Sequence, residues 1–136
     1  LNLLTLNGLR AAQNLLVPMQ CEYFALEGLA GLINTIEELN ITTNHNLRLS
    51  AIVRTMVDTR NKLGKEVALE LSRYFKEELL NTIIPRNIKL AEAPSFGKPA
   101  ISYDPSAKGS LAYLALAGEL VSRMEDHPNR GGQYEQ

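Results

Sequence analysis

The chain reads as an α/β domain with a parallel sheet, and three observations predict it. Short apolar runs at residues 15–18, 49–57 and 81–84 have strand length. Longer stretches between them carry apolar residues at helical spacing, so strands and helices alternate along the chain. A composition of 45% apolar and 21% charged residues over 136 positions can bury a core as one domain. About three strands and four helices are expected.

The first helix is expected around Leu3, Leu6 and Leu9, ending at Gln13-Asn14 before the strand at 15–18. Residues 22–39 place Leu26, Leu29, Ile33 and Ile36 on one stripe, an amphipathic helix with Glu22 in its first turn. Residues 40–46 read as a polar loop, and 49–57 as a strand ending at Asp58. A helix over 63–80 would turn Val67, Leu71, Tyr74 or Phe75, and Leu79 inward. The strand at 81–84 stops at Pro85, where Arg86 and Asn87 follow. Three prolines and a glycine then specify an ordered, non-helical loop, because proline fixes φ. A last helix over 109–124 has Ser110 as its N-cap, and the polar, Gly-rich residues 125–136 are expected to be a disordered tail.

Composition narrows the function classes. Fourteen basic and fifteen acidic residues leave a formal charge of −1, so a nucleic-acid face would have to be a local patch. One cysteine, Cys21, excludes an internal disulfide and suits a reducing cytosol. No apolar stretch reaches the roughly 18–20 residues of a membrane span. His45 and His127 lack ligand-spaced partners, so no metal site is expected. Cys21 has no nearby base to activate it and reads as a half-buried thiol. Glu22 and Glu27, five apart, would lie on different helix faces rather than act as a pair.

A phosphate-binding loop needs GxxxxGK[ST], in which backbone amides cradle phosphates. Gly64-Lys65 has Thr59 and Glu66 at the flanking places, and Gly97-Lys98 has Glu92 and Pro99. Neither is a P-loop, so the chain alone is not expected to hydrolyse ATP. Ligand-facing residues are expected at strand ends. Asn87 can hydrogen-bond a purine edge and Pro85 can pack on its face; equally, Asn87 can cap the turn and Arg86 be a solvated charge. Asp58 could line that pocket or cap the next helix. Arg60, Lys62 and Lys65, with Lys89 in the following loop, form either a basic surface or an ordinary solvated face.

Three motifs in register carry a family resemblance. IPRNIKLAEAPSFGKPAISYDPSAKG at 84–109 resembles the C-terminal signature of ParA/Soj-type partitioning ATPases, relatives of MinD. Residues 3–36 resemble the segment after that family's second switch, and TMVDTRNKLGKEV at 55–67 resembles its next strand and helix start. The resemblance covers about residues 1–124 and implies the C-terminal part of a P-loop NTPase-like fold, with the N-terminal half missing. It implies ATP and Mg²⁺ as cofactors of the intact protein, held by residues this chain lacks. By that resemblance Pro85, Arg86, Asn87 and Asp58 fall on the adenine side, and Arg60, Lys62, Lys65 and Lys89 on a surface for non-specific DNA. An ATP-bound homodimer, a ParB-type partner that stimulates hydrolysis, and a cytoplasmic, nucleoid-associated location are implied with it. A MinD-like membrane ATPase would carry a basic amphipathic C-terminal helix, whereas residues 111–124 are poor in Lys and Arg. A non-catalytic module that docks on a partner is the remaining alternative.

Overall fold

The computed structural model describes residues 2–43 and 46–126. Helix α1 (Leu3–Ala11) leads into β1 (Asn14–Gln20), α2 (Ala25–Thr43), β2 (Arg48–Val57), α3 (Lys62–Tyr74) and β3 (Leu79–Pro85). Two short helices, α4 (Ile88–Glu92) and α5 (Ala100–Tyr103), flank a 3-10 turn at Ala93–Phe96, and α6 (Lys108–Asp126) closes the chain. The three strands lie in the order β1-β2-β3 and both pairs are parallel, as the alternation predicts.

Two apolar layers sandwich the sheet. On one face, Met19 and Ile52 pack with Leu29 of α2 and with Val67 and Leu71 of α3. Leu9 of α1 joins Ile36 and Leu47 at the lower end of that layer. On the other face, Ala51, Val53, Leu80 and Ile84 meet Leu116 of α6. The alternation Ala51-Ile52-Val53 thus feeds both layers, the period of two that a doubly covered strand requires.

Several boundaries differ from expectation. Helix α2 begins at Ala25, so Glu22 precedes it and caps with its carbonyl, accepting from the Ala25 amide at 3.0 Å. The same helix runs on to Thr43, where a polar loop is predicted: Thr42 and Thr43 donate their hydroxyls back to carbonyls in the preceding turn and fit the helix. Helix α3 stops at Tyr74 rather than continuing to 80. Tyr74 is exposed, whereas Phe75 packs at the core edge. Leu79 and Leu80 belong to β3, because pairing of Ile52 with Leu79 draws them into the sheet.

The loop after β3 is ordered but helical. Pro94 stands at the start of the 3-10 turn and Pro99 just before α5, places where a missing amide costs nothing. Gly97 supplies the left-handed turn, at φ 63°, that separates them. Ser110 is not an N-cap. It is buried within α6, and its hydroxyl donates to the Ala100 carbonyl at 2.9 Å. The predicted tail begins inside α6, with Glu125 and Asp126 helical. His45, His127 and the remainder of the tail lie outside the described residues.

Candidate functional site

Parallel strands bring the loops after β1, β2 and β3 to one end of the sheet, where open α/β domains bind ligands. The ends of β2 and β3, from which two of these loops leave, are joined directly: the Arg86 amide donates to the Val57 carbonyl at 3.0 Å. Asp58 and Arg86 therefore face a common rim, although they are 28 positions apart in sequence. Met56, just before it, has φ 53°. A left-handed residue in a strand is unusual for a side chain of this size and costs about 1–2 kcal/mol. It falls at the register shift between Arg54 and Val57, and so helps set the direction in which Asp58 leaves the sheet.

Asp58 is tied to Arg60. Its carboxylate accepts from the Arg60 amide at 3.0 Å and from the Arg60 guanidinium at 3.1 and 2.9 Å. These hydrogen bonds lower the Asp58 pKa from 3.8 to about 2, with a smaller contribution from the charge on Arg86. The sequence left open whether Asp58 caps the following helix; Asn61 does that, accepting from the Gly64 amide at 3.2 Å. Arg60 itself stays 90% exposed. Asn87 caps α4, its side-chain oxygen accepting from the Lys89 amide at 3.1 Å, while its NH₂ has no protein partner among the described residues. The capping reading and the ligand reading of Asn87 therefore use different atoms. Pro85 ends β3 beside it.

The four predicted basic residues divide into two kinds. Arg60 and Lys89 each have a carboxylate partner, Lys89 reaching Glu92 at 3.4 Å. Lys62 and Lys65, at the start of α3, have none among the described residues. Lys89 is fixed by a small cluster that sequence reading did not single out. The Tyr103 hydroxyl donates to Glu92 at 2.8 Å, Lys89 lies 5.7 Å from the Tyr103 ring centre, and Phe96 stacks on that ring at 5.0 Å. The Tyr103 bond, followed by Lys89, holds the Glu92 carboxyl below its ordinary range. A tyrosine eleven positions from a glutamate carries no spacing signal; only the return of the chain through α5 brings them together.

Gly64 lies inside α3 and Gly97 at the end of the 3-10 turn, so neither Gly-Lys pair forms a phosphate cradle. Among the described residues no group of three or more His, Cys, Asp or Glu side chains converges as a metal site. The rim residues fit the base side of a nucleotide: a free Asn amide, a proline face and an exposed Arg86. They do not fit Mg²⁺, since Asp58 is already engaged by Arg60. Cys21 is half-buried, and burial raises its pKa against a small opposing effect from the Arg54 charge. No helix among the described residues is long and apolar enough to cross a membrane.

Residues 1–49 match a family model described as an AAA domain. Over 126 residues the chain is 47% identical to the chromosome partitioning protein ParA of Caulobacter vibrioides, covering 93% of this chain and 47% of that protein. It is 50% identical over 123 residues to the chromosome-partitioning ATPase Soj of Treponema pallidum, covering 90% of this chain and 49% of the relative. The chain thus spans about half the length of the curated relatives it matches. Among solved structures, cobyrinic acid a,c-diamide synthase from Mycobacterium smegmatis with bound ADP and magnesium superposes with a TM-score of 0.68 at 27% identity. That match covers 99% of this chain and 48% of the synthase.

Proposed function

Because the chain belongs to the ParA/Soj-type partitioning ATPases, we propose that it supplies the base side of the nucleotide pocket and the DNA-loading surface of such a protein. The observation that carries this reading is the joined rim. One backbone hydrogen bond, from Arg86 to Val57, fixes the end of β2, after which come Asp58, Arg60 and Lys62, beside the end of β3, which carries Pro85 and leads into Asn87 and Lys89. A nucleotide bound at that rim would meet Pro85, Arg86 and Asn87. The Asn87 NH₂ donates to a purine ring nitrogen while its oxygen keeps hold of α4. Asp58 orients Arg60 through a forked contact rather than touching the ligand itself.

ATP and Mg²⁺ would supply the phosphoryl chemistry in the complete protein, on residues outside this chain. Arg60, Lys62, Lys65 and Lys89 would give non-specific phosphate contacts, which need positive charge and little geometry. ATP-dependent homodimerisation, stimulation of hydrolysis by a ParB-type partner and association with a bacterial nucleoid complete the reading; it calls for no membrane contact.

The test uses a complete partition ATPase carrying this chain. Arg60→Glu and Lys89→Glu are each expected to weaken binding to duplexes of any sequence. Each should also reduce the salt dependence by about 0.9 in the log–log slope. Nucleotide affinity should stay within a few-fold in both, and Asn87→Ala should show the reverse pattern. Unchanged DNA affinity and slope in both reversals would mean that the rim charges are a solvated face.

A further inference from the structure

We propose that the groove between α3 and β3 is a phosphate seat centred on Arg54, taking a backbone phosphodiester of duplex DNA; this rests on the DNA-loading reading above and extends it to a residue and a surface outside the rim. Arg54 is the one charged residue in the stretch Leu49 to Val57, at a position two residues after the fully buried Ile52. It therefore points to the face that α3 covers, where a side chain filling the core would be apolar. The groove has a volume of about 440 Å³ and is open to solvent. Arg54 and Lys65 supply its charge, Ser72 and Asn81 its neutral polar groups, and Leu69 and Leu79 part of its apolar wall. Among the described residues no acidic side chain lines it.

The Arg54 charge is uncompensated. Its Nε is buried without a hydrogen-bond partner, and no carboxylate among the described residues pairs with it. An arginine that merely lays its stem over apolar surface keeps its head group in water. Here part of the head group is withdrawn from water with nothing in return, an arrangement that an incoming oxyanion relieves. Of the two glutamates on α3, Glu70 is taken up by Arg73 at 2.7 Å.

Continuity with the rim selects the ligand. Lys65 lines the groove and stands one helical turn from Lys62, about 4.5 Å along the axis. Positive charge therefore runs from the turn at Arg60 along the start of α3 into the groove. A duplex carries about one charge per 1.7 Å of axis, so a surface engaged at Lys62 presents further phosphates to such a track. The planar arginine fork suits a phosphodiester.

In a complete partition ATPase carrying this chain, Arg54→Gln should lower affinity for a random-sequence duplex about tenfold and reduce the log–log salt slope by about 0.9. Arg54→Lys should keep the slope. Nitrogen-15 spectra of the unaltered protein give a second reading that does not depend on the variant's folding. The Arg54 Nε–H signal should shift on adding a short duplex, and not with inorganic phosphate or ATP at the same concentration. An unchanged slope in Arg54→Gln, with Arg60→Glu still lowering it, would overturn the groove site and leave the rim reading intact. An equal shift with phosphate or ATP would make this a small-anion pocket and overturn the DNA assignment. Failure of the unaltered protein to retain duplex at low salt would remove the DNA-loading reading, and this site with it.

Discussion

The seam between α6 and β3 and the rim formed by the loops after β2 and β3 are held by opposite means. At the seam, the Glu119 carboxylate is only 16% exposed and accepts from the consecutive amides of Asn81 and Thr82 at 2.7 and 2.8 Å. Those two amides sit where the β2–β3 register shifts, so the strand partner cannot satisfy both. Arg123 pairs with Glu119 at 3.6 Å and donates to the Glu77 and Leu79 carbonyls at 2.7 and 3.2 Å. Apart from the Glu119–Arg123 pair within α6, these contacts join residues 37 to 46 positions apart. At the rim, Asp58–Arg60 and Lys89–Glu92 join residues two or three apart, and solvent reaches both pairs. The seam makes the fold; the rim is free to change partners because little stability depends on it.

The largest expected effect is at the seam. Glu119→Ala leaves two strand amides without their acceptor and Arg123 without its ion-pair partner, and should destabilise the domain by about 2 kcal/mol in chemical denaturation. The pH dependence follows from the direction of its shift. Burial raises the Glu119 pKa, but hydrogen bonds from Thr82 and Asn81 and the Arg123 charge more than reverse this, leaving it below 4.5. Its contribution is therefore complete above pH 4.5 and is lost as pH falls from there through the lowered value. Glu119→Gln should flatten that acid limb. An unaltered acid limb would show that the carboxylate is not what secures the seam.

A smaller effect is expected where seam and rim meet. A Cβ on Gly109 would overlap the Leu90 side chain, so the start of α6 approaches α4 as closely as a glycine permits. Gly109→Ala should cost about 1–2 kcal/mol by forcing α4 outward. Adding Leu90→Ala should return part of the loss, read as a favourable coupling in a double-mutant cycle. Because α4 carries Lys89, amide signals over 87–92 should move in the single variant. Strictly additive losses would separate the two regions.

The smallest effect belongs to the rim. Asp58→Asn should leave the melting temperature unchanged within error at physiological salt, while the Arg60 side-chain resonance loses its fixed environment. Asp58 is lowered from 3.8 to about 2, so any acid loss from it lies between those two pH values. A clear drop in melting temperature at neutral pH would mean that the rim, too, is structural.

Much of this division was legible in the sequence. The strands at 15–18, 49–57 and 81–84 follow from β-rich apolar runs, and their parallel pairing from the helices between them. The Pro-Arg-Asn segment marks itself as an ordered loop at a strand end. Arg54 is visible in the sequence as a charge within a predicted strand, but without knowing which face it takes, that signal has no meaning. The end of α3 is hidden in the sequence because Leu71, Phe75 and Leu79 continue a helical stripe. Only pairing of Ile52 with Leu79 shows that the last of these is a strand residue.

By itself the sequence determined the local choices: where apolar runs permit strands, where spacing permits helices, and which loops carry charge and amide groups. These depend on a few neighbouring side chains and on backbone preference. Tertiary structure alone decided that Ser110 is a buried donor rather than a cap, that Glu119 holds a register shift, and that the loops after β2 and β3 share one rim. Each of those depends on a partner 10 to 38 positions away, across the sheet or the return loop. Hydrogen-bond and ion-pair energies act over a few ångströms of space, and separation along the chain carries no record of that distance.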